Sequence, residues 1–444
     1  MAKTLVIGLD SVPPRILYEE LAGELSNISS LSEARSTLTT SHPPITIPAW
    51  MVMMTGKSPG ELGIYGFRHR RKGTYDSVYI ADSRSVREEK IWDLAGKLGR
   101  RSIVIGVPPS FPPSPIKGYM ISCFITPGPH KRYTWPPSLK QEVEAITGGY
   151  VFDIVYRSED KESVKKDLWR LAETQFKVAT YMAKNKKWDF MVFMFIGTDR
   201  VHHAFWKYYD HKHPRYPGSN KYESVIPEYY RLVDKLVGEL AKAAGRDTNI
   251  IIVSDHGAKA MKGAFAINQW LEEAGYLKLK KKPSKPGTEL REDIIDWEKT
   301  VAWAWGGYYS RVFLNVKGRE PKGIVEPSEY HSVLEELKRE ITKISGPEGE
   351  KWDNKVYEPR ELYPRVEGDA PDLIVYLDDL NWRPAGTIGW PSPYLEENDR
   401  GPDDAVHDWI GVIASNNRDL VRSTPGYAIQ DIRALVLERS ILGT

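Results

Sequence analysis

One apolar run in the chain ends at two side chains that bind metals well. Residues 249 to 253, Asn-Ile-Ile-Ile-Val, are followed by Ser254, Asp255, His256 and Gly257. Consecutive β-branched residues are typical of a strand buried on both faces of a parallel sheet, and ligands of such sheets gather where the strands end. A carboxylate beside an imidazole at that edge can hold a divalent cation. Taken alone, however, the Asp-His-Gly tripeptide is better explained as a turn.

A second acid and imidazole pair follows another apolar run. Residues 190 to 196 predict a strand, and Asp199 and His203 come shortly after it. Side chains four residues apart project from the same side of a helix, so this pair can share one ion, whereas His202 would point elsewhere. For the pair by itself, a helix N-cap at Asp199 with a partly buried His203 explains the spacing equally well.

Two further candidates lie beside predicted strands. Asp10 closes a strand predicted at residues 4 to 9, and His407 precedes a strand predicted at 409 to 414. A lone histidine such as His407 is more often structural than a ligand. Oxygen and nitrogen ligands nevertheless recur at one edge of one predicted sheet, in numbers that fill two metal sites. Two shared metal sites therefore explain these residues more simply than a separate structural role for each of them.

Thr46 is the candidate nucleophile. Residues 39 to 56 predict a loop bracketed by prolines that runs into an apolar helix ending at Gly56, with Thr46 at the helix mouth. Pro48 is tolerated in a first helical turn, and the free N–H groups there favour an anion, so a phosphoryl oxygen would be held where the Thr46 hydroxyl attacks. Metal coordination would activate that hydroxyl. The alternative is an ordinary N-cap threonine.

Strand and helix patterns alternate through the first part of the chain. The remaining strand is predicted at 102 to 107, and helices are predicted at about 14 to 24, 87 to 98, 160 to 184 and 222 to 244. This alternation predicts an α/β fold with a doubly wound, mostly parallel sheet. From 258 to 400 the pattern is irregular and rich in Trp, Tyr, Pro and Gly. We expect a catalytic core of residues 1–257 plus 401–444, and an inserted cap subdomain of 258–400 with some strands returning to the core. A further strand is predicted at 372 to 377.

Composition limits the partners. The chain has 444 residues, with 62 Lys plus Arg against 60 Asp plus Glu, so it lacks the broad positive field that a nucleic-acid polymer requires. Cys123 is the only cysteine, which excludes an internal disulfide and a Cys-based zinc finger. Neither a signal peptide nor a membrane-spanning apolar run is present in the sequence, so we expect a cytoplasmic protein without a membrane partner.

These residues carry a family resemblance. They occur along the chain in the order Asp10, Thr46-Ile47-Pro48-Ala49-Trp50, Thr55-Gly56, Asp199 with His203, Asp255-His256, and His407. This order resembles that of the alkaline phosphatase superfamily, and within it the type I phosphodiesterases and nucleotide pyrophosphatases. Residues 314 to 325 and 371 to 376 resemble the phosphohydrolase/phosphomutase branch of that superfamily.

The resemblance implies two divalent metal ions. One would be held by Asp199, His203 and His407, and the second by Asp10, Asp255 and His256 together with the Thr46 oxygen. Two such ions neutralise the attacking and leaving oxygens of a displacement at phosphorus. Thr46 would become phosphorylated, and water would then hydrolyse the phosphothreonine. Imidazole and carboxylate ligands suit Zn, with Mn and Fe as alternatives.

The resemblance also implies an activity. We expect a hydrolase of small phosphate esters, foremost a phosphodiesterase or nucleotide pyrophosphatase whose substrate includes nucleotides. A phosphomutase or phosphomonoesterase of the same superfamily is the alternative among enzymes, and a catalytically silent metal-binding protein is the alternative from another class. A sulfatase is disfavoured because Thr46 stands in a Thr-x-Pro-Ala-Trp setting.

Substrate contacts outside the ligand set stay open. Residues 65 to 72, which include Arg68 and Arg70, would guide an anion to the cleft or form a solvated loop, the second being favoured. Four aromatic residues of the inserted segment would stack on a base or form buried core, namely Trp303, Trp305, Tyr308 and Tyr309. Since the inserted segment starts and ends beside the ligands, we expect it to roof the site and to admit only small substrates.

Overall fold

The computed structural model describes residues 3–423 and 426–442, and the chain divides into two compact units. Unit 1 comprises Met1–Gly66, Ala81–Lys259 and His407–Thr444. Unit 2 comprises Phe67–Ile80 and Ala260–Val406. Among the described helices, none combines the length and the apolar character that crossing a bilayer requires.

The strands in chain order are β1 (Thr4–Leu9), β2 (Ala34–Thr39), β3 (Arg68–Arg70), β4 (Val78–Ile80), β5 (Ser102–Ile105), β6 (Gly118–Ile121), β7 (Thr134–Trp135), β8 (Phe190–Phe195), β9 (Asn249–Val253), β10 (Gly257–Ala260), β11 (Gly263–Ala266), β12 (Ala302–Trp305), β13 (Ser310–Leu314), β14 (Lys355–Tyr357), β15 (Leu373–Tyr376), β16 (Trp382–Ala385), β17 (Tyr394–Leu395), β18 (Ala405–Asp408), β19 (Ile410–Ser415) and β20 (Tyr427–Ala428).

The α-helices are α1 (Ser26–Ser30), α2 (Thr46–Thr55), α3 (Pro59–Leu62), α4 (Ile91–Lys97), α5 (Leu139–Thr147), α6 (Lys161–Asn185), α7 (Gly197–Tyr209), α8 (Val225–Ala244), α9 (Ile267–Glu273), α10 (Tyr330–Thr342), α11 (Pro359–Leu362) and α12 (Asp431–Ala434). Helical segments of other pitch are Arg15–Glu20, Ser83–Ser85 and Leu435–Leu442.

Unit 1 is built on a nine-stranded sheet with the order β20-β2-β19-β9-β1-β8-β5-β6-β7. The central strands β9, β1, β8, β5 and β6 run parallel, whereas β19 and β7 run antiparallel to their neighbours. The prediction of an α/β fold with a mostly parallel sheet is confirmed. Helices α6 and α8 match the predicted amphipathic segments at 160 to 184 and 222 to 244.

The register of the central strands decides where their following residues emerge. Leu9 pairs with Phe195, and Gly8 pairs with Val253, so β1, β8 and β9 end at the same edge of the sheet. All six residues of β1 and of β8 are buried, which is why these strands appear in the sequence as unbroken apolar runs. The segments that carry the candidate ligands therefore leave the sheet side by side.

The strand after His407 reaches this edge by running in the opposite direction. Ile413 of β19 pairs with Val253 of β9 in an antiparallel ladder, so the beginning of β19 meets the end of β9. A residue that precedes a parallel strand would emerge at the far edge of the sheet. The antiparallel direction of β19 is what brings His407 to the carboxyl edge.

Helix α2 packs its whole length into unit 1. All ten of its residues are buried, and it ends at Gly56, whose φ of 68° is left-handed and whose N–H donates to the Val52 carbonyl at 2.7 Å. The predicted apolar helix ending at glycine is thus present. Gly8 of β1 leaves room for this helix, because a Cβ there would lie 2.1 Å from the Trp50 ring.

Unit 2 has its own sheets and its own core. Strands β12, β13, β15 and β14 form an antiparallel sheet in that order, and β16, β11 and β17 form a smaller one. The strand predicted at 372 to 377 is β15 of the four-stranded sheet. Trp303 and Tyr309 are buried, and Trp303 packs against Phe313 across β12 and β13. For these two aromatic residues the buried-core interpretation is confirmed.

Candidate metal centre

The first cluster of ligands joins the ends of β1 and β9. Nε2 of His256 lies 3.3 Å from Oδ2 of Asp255 and 3.7 Å from Oδ1 of Asp10. All three side chains are fully buried. Their ligand atoms are close enough to share one ion, and together they form one of the candidate metal-binding groups among the described residues.

The second cluster joins the end of β8 to the segment before β19. Oδ1 of Asp199, in the first turn of α7, lies 3.2 Å from Nε2 of His203 and 3.6 Å from Nε2 of His407. The ring of His256 stacks on that of His407 with centroids 3.9 Å apart, and Asp199, His256 and His407 also form a candidate metal-binding group. The two clusters are therefore contiguous through His256.

Backbone carbonyls orient two of the imidazoles. Nδ1 of His256 lies 2.9 Å from the Gly257 carbonyl oxygen, and Nδ1 of His407 lies 2.6 Å from that of Pro44. Because a carbonyl oxygen only accepts, Nδ1 of each ring must carry the hydrogen and donate it. The Nε2 lone pair of each ring is then available to a metal, as is usual for histidine ligands.

Four buried ligand atoms have no hydrogen-bond partner. They are Asp10 Oδ1, Asp199 Oδ1, Asp255 Oδ2 and His256 Nε2. Each lies at ion-pair distance from another ligand atom, but none receives a hydrogen bond. An unsatisfied buried polar atom costs free energy, so four of them facing one another are costly unless a cation binds them. The donor set of carboxylate oxygens and imidazole nitrogens fits a divalent transition metal.

The electrostatics of the carboxylates agree with a cation site. Burial, followed by repulsion from Asp255 and Asp199, raises the pKa of Asp10 well above its usual value. Burial likewise raises the pKa of Asp255 to about 6, although His256 acts against it. Burial alone would also raise the pKa of Asp199, but His203 and Arg200 hold it well below the usual value. Without a bound cation, the first cluster thus disfavours its own charged form.

The electrostatics of His407 favour its ligand form. Burial lowers the pKa of His407 well below its ordinary value, and the neighbouring His256 lowers it further, which outweighs Asp199. A neutral imidazole is the form that coordinates metals. His202 lies outside both clusters, since its Nε2 is 3.0 Å from the Tyr230 hydroxyl.

Two supporting residues hold the carboxylates in place. The Trp50 indole Nε1 donates to Asp10 Oδ2 at 2.8 Å, and the Arg200 Nη1 donates to Asp199 Oδ2 at 2.7 Å. Arg200 is itself fixed by Asp153, which accepts from its Nε and Nη2 at 2.8 Å each. Sequence reasoning gave none of these three residues a supporting role. The only signal was their position, because Trp50 follows Thr46 in the same helix and Arg200 adjoins Asp199.

The loop between β1 and the following segment also reaches the site. Ser11 has a φ of 65°, which is uncommon outside glycine, and its N–H donates to Asp255 Oδ1 at 3.3 Å. Ser254 accepts from the Val12 N–H at 2.7 Å and donates to the His256 carbonyl at 2.6 Å. These bonds tie the two strand ends together and fix the direction of the Asp255 carboxylate.

Thr46 begins α2 and is buried. Ile45 occupies the N-cap position and makes no side-chain capping bond, so Thr46 stands one residue inside the helix, where an ordinary N-cap threonine would not be. On one side of it, Pro44 accepts the hydrogen bond of His407, and on the other, Trp50 donates to Asp10. Its position is therefore flanked by contacts to both ligand clusters.

Two residues of the segment after α3, His69 and Arg70, are buried rather than exposed to solvent. His69 and Arg70 are only 2% and 3% exposed, so the favoured interpretation of 65 to 72 as a solvated loop is wrong for them. Arg70 lies in unit 2, where its Nη1 donates to Glu320 at 2.6 Å and its Nη2 and Nε donate to Asp369 at 2.8 and 2.9 Å. Because its guanidinium is neutralised within the unit, Arg70 is unsuited to guide an anion.

The fold and the family profile place the chain in the alkaline phosphatase superfamily. Within it, the chain belongs to the type I phosphodiesterase/nucleotide pyrophosphatase family, whose sequence profile matches residues 4–403. It is accordingly a hydrolase that acts on phosphoric ester bonds. The family uses divalent metal ions, and the two clusters supply candidate residues for them.

Solved structures share this fold across the whole chain. Phosphonoacetate hydrolase from Sinorhizobium meliloti 1021, in complex with phosphonoformate, has a TM-score of 0.62 at 15% identity and covers 99% of this chain and 96% of its own. Murine ectonucleotide pyrophosphatase/phosphodiesterase 5, as an inactive threonine-to-alanine variant with AMP, has a TM-score of 0.55 at 12% identity and covers 100% and 95%. At these identities the likeness shows the fold. A comparison with curated proteins gave no match.

Proposed function

We propose that the chain is a phosphodiesterase or nucleotide pyrophosphatase that cleaves small phosphate esters with two divalent metal ions and a phosphothreonine intermediate. The observation that carries the proposal is the convergence of four buried ligand atoms without hydrogen-bond partners, on Asp10, Asp199, Asp255 and His256. A protein that only needed a stable core would have satisfied or removed these groups. The proposed ligands are Asp199, His203 and His407 for one ion, and Asp10, Asp255, His256 and Thr46 for the other.

Thr46 is the proposed nucleophile. Its Oγ1 attacks phosphorus, a bond from oxygen to phosphorus forms, and the bond to the leaving-group oxygen breaks with both electrons going to that oxygen. In a diester the phosphothreonine still carries the remaining ester group. Water attacks its phosphorus, the bond to Thr46 Oγ1 breaks, a phosphomonoester departs, and the Thr46 oxygen regains a proton. The hydrogen bonds of Pro44 to His407 and of Trp50 to Asp10 support this role, because they fix the start of α2 beside the ligands.

The chain's own residues prepare the site for cations. When bound, divalent ions would lower the pKa of the Thr46 hydroxyl and of water and would neutralise charge on the phosphoryl oxygens. Trp50 and Ser11 set the directions of the Asp10 and Asp255 carboxylates. The Gly257 and Pro44 carbonyls set the tautomers of His256 and His407. Zinc is the proposed metal, with Mn and Fe as alternatives, because nitrogen and carboxylate ligands occur together.

Small substrates, including nucleotides, are the proposed class. A net charge of +2 gives no broad field for a polymer, and a structural relative is known in complex with AMP. The same net charge leaves recognition of phosphate to local groups at the site. The cytoplasmic location expected from the sequence stays a prediction, which fractionation of the native cells would test.

The decisive experiment replaces Thr46. The Thr46→Ala variant should keep its metals and lose turnover by at least about a thousandfold, while Thr46→Ser should retain part of it. Thr55→Ala is the matched control, because Thr55 lies at the other end of the same helix and donates to the Met51 carbonyl at 2.6 Å. Wild-type rates in Thr46→Ala would mean that water attacks directly.

The substrate panel separates the activities. Bis-p-nitrophenyl phosphate tests diester cleavage, p-nitrophenyl phosphate tests monoester cleavage, and phosphonoacetate tests the reaction named by one structural relative. Each is assayed with added Zn or Mn. Preference for the diester supports the proposal, preference for the monoester favours a phosphomonoesterase, and no turnover of any substrate with full metal loading would favour a silent metal-binding protein.

A further inference from the structure

The buried arginines of the described residues differ in whether they pair with a carboxylate. Among the described residues, four arginines are buried, namely Arg70, Arg200, Arg311 and Arg383. Three of them have carboxylate partners: Arg70 pairs with Glu320 and Asp369, Arg200 with Asp153 and Asp199, and Arg383 with Asp399 at 3.0 Å. Arg311 forms no ion pair with any carboxylate in the described part of the chain.

Arg311 lies in the four-stranded sheet of unit 2. It is on β13, directly opposite Trp305 of β12, and its guanidinium carbon lies 4.9 Å from the centroid of the Trp305 ring. Its Nη1 donates to the backbone carbonyl of Arg68 at 2.7 Å, and the residue is only 8% exposed. One neutral carbonyl and one aromatic face are thus its partners, and neither carries a negative charge.

This environment is unfavourable for a cation. Moving a charge out of water is costly unless an opposite charge or several hydrogen bonds compensate for it, and a guanidinium offers five N–H donors. Burial accordingly lowers the pKa of Arg311, whereas the pKa of the paired Arg70 is raised above its usual value by its two carboxylates despite burial. Unit 2 therefore holds one buried arginine with carboxylates in direct contact, Arg70, and one, Arg311, that only the more distant Asp369 attracts.

Arg311 also lines a cavity of about 380 Å³ whose walls belong wholly to unit 2. Trp305, Leu290 and Arg68 lie on the same walls. Trp305 and Leu290 are only partly buried, so they offer apolar surface to a guest. The two other arginines of the lining are held elsewhere, Arg400 by Glu289 and Arg291 by Asp293. The volume falls within the range of roughly 300–1,000 Å³ that small-molecule sites occupy.

We propose that this cavity is a binding site for a small organic anion, in which a phosphate or carboxylate group pairs with Arg311 and a flat apolar body lies against Trp305 and Leu290. The anion supplies the charge that Arg311 lacks, and the planar guanidinium matches the geometry of either group. Every residue involved lies in unit 2, so the proposal is independent of the metal centre and of the proposed function.

Calorimetric titration tests the site with simple probes. Phenyl phosphate and benzoate each carry one of the two kinds of anion on a phenyl ring, and inorganic phosphate and phenol are the separate halves of phenyl phosphate. EDTA is present throughout, so that the metal centre contributes nothing. We expect the wild type to bind phenyl phosphate or benzoate, and the Arg311→Gln variant to bind the same probe at least tenfold more weakly. Which probe binds identifies the anion.

Two further variants serve as a control and as an independent test of the cavity. Arg365→Gln is the matched control, because Arg365 is 60% exposed in the same unit and should bind the probes as the wild type does. Leu290→Glu adds a negative charge to the cavity wall without touching Arg311, and it should abolish binding even where an Arg311 variant folds poorly. Absence of binding by the wild type at millimolar concentrations, or equal binding by Arg311→Gln, would overturn the proposal.

Thermal unfolding distinguishes a ligand site from a structural role. A buried arginine without a bound anion destabilises the free protein. In the absence of a probe, Arg311→Met should therefore leave the midpoint of thermal unfolding unchanged or raise it. The probe should then raise the midpoint of the wild type and leave that of Arg311→Met unchanged. A variant that is several degrees less stable and still stabilised by the probe would show that Arg311 serves only the packing of β12 and β13.

Discussion

The Trp50 indole donates its hydrogen to the Asp10 carboxylate at 2.8 Å, across a separation of 40 residues. The bond uses Oδ2 and leaves Oδ1 of Asp10 directed at His256. The ring of Trp50 also fills the space beside Gly8, where a Cβ would lie 2.1 Å from it. One side chain thus fixes both the packing of α2 on β1 and the direction of a proposed metal ligand.

We therefore expect Trp50→Phe to weaken metal binding while the fold is kept. Phenylalanine preserves much of the apolar contact with β1 but donates no hydrogen bond, and loss of such an outer partner typically costs 10–100-fold in affinity or activity. Metal titration followed by the diesterase assay measures the effect. Trp188→Phe is the matched control, because Trp188 is also buried and its indole donates to the Ala183 carbonyl, not to a proposed ligand. Equal losses in the two variants would mean that Trp50 acts only through packing.

Removing a ligand from either proposed metal site should lower the metal content of the protein. His203→Ala removes a ligand of the proposed Asp199 site, and Asp255→Ala removes one of the proposed Asp10 site, so each variant should lose about one equivalent of metal together with activity. Elemental analysis of the purified proteins decides the question. His202→Gln is the control, since His202 adjoins His203 in α7 but contacts the Tyr230 hydroxyl. Full metal content in both ligand variants, with folding intact, would remove the two-site proposal.

Much of the fold was predictable because burial leaves a mark on local sequence. Strands β1, β8 and β9 are enclosed by neighbours on both sides, so their residues must be apolar without interruption. Asp10 and Asp255 directly follow such runs, and parallel pairing brings them to one edge. The convergence of these candidate ligands was therefore predictable from the positions at which polar residues first interrupt apolar runs.

The remaining features depend on contacts that local patterns do not record. Residues 409 to 414 predict a strand, but its antiparallel direction follows from its neighbours β9 and β2, and that direction decides where His407 lies. Of the two carboxylate partners of Arg70, Glu320 is 250 residues away and Asp369 is 299 residues away. The division of the sequence into residues 1–257 with 401–444 and an insert of 258–400 stays a prediction.

Arg200 should prove to be a positioning residue for Asp199. Its guanidinium bonds to Asp153 through two nitrogens and to Asp199 through the third, a geometry that lysine does not reproduce. We expect Arg200→Lys to keep a positive charge near Asp199 yet to lower metal affinity about tenfold or more. Asp153→Asn should have a smaller effect, because the bond to Asp199 remains. Metal affinity measured for both variants checks this order, and the reverse order would contradict it.

The stability of the metal-free protein should depend on Asp255 in a direction opposite to that of most carboxylates. Burial raises its pKa from 3.8 to about 6 in the folded chain. Between these two pH values the folded state binds more protons than the unfolded state, so stability falls as pH rises through this window. At pH 7 the full penalty is present, at most about 3 kcal/mol for a shift of this size. Asp10, whose pKa is also raised, acts in the same direction.

Asp255→Asn should remove that penalty, because asparagine still accepts from the Ser11 N–H but carries no charge. In EDTA, the unfolding midpoint of the variant relative to the wild type should rise as pH increases from 4 to 7, and then level off. Added Zn or Mn should reverse the order at pH 7, since only the wild type gains stability from a bound cation. Asp247→Asn, at an exposed carboxylate, is the control and should track the wild type throughout. If the difference in unfolding midpoint between Asp255→Asn and the wild type does not change with pH in EDTA, burial does not raise the pKa of this carboxylate.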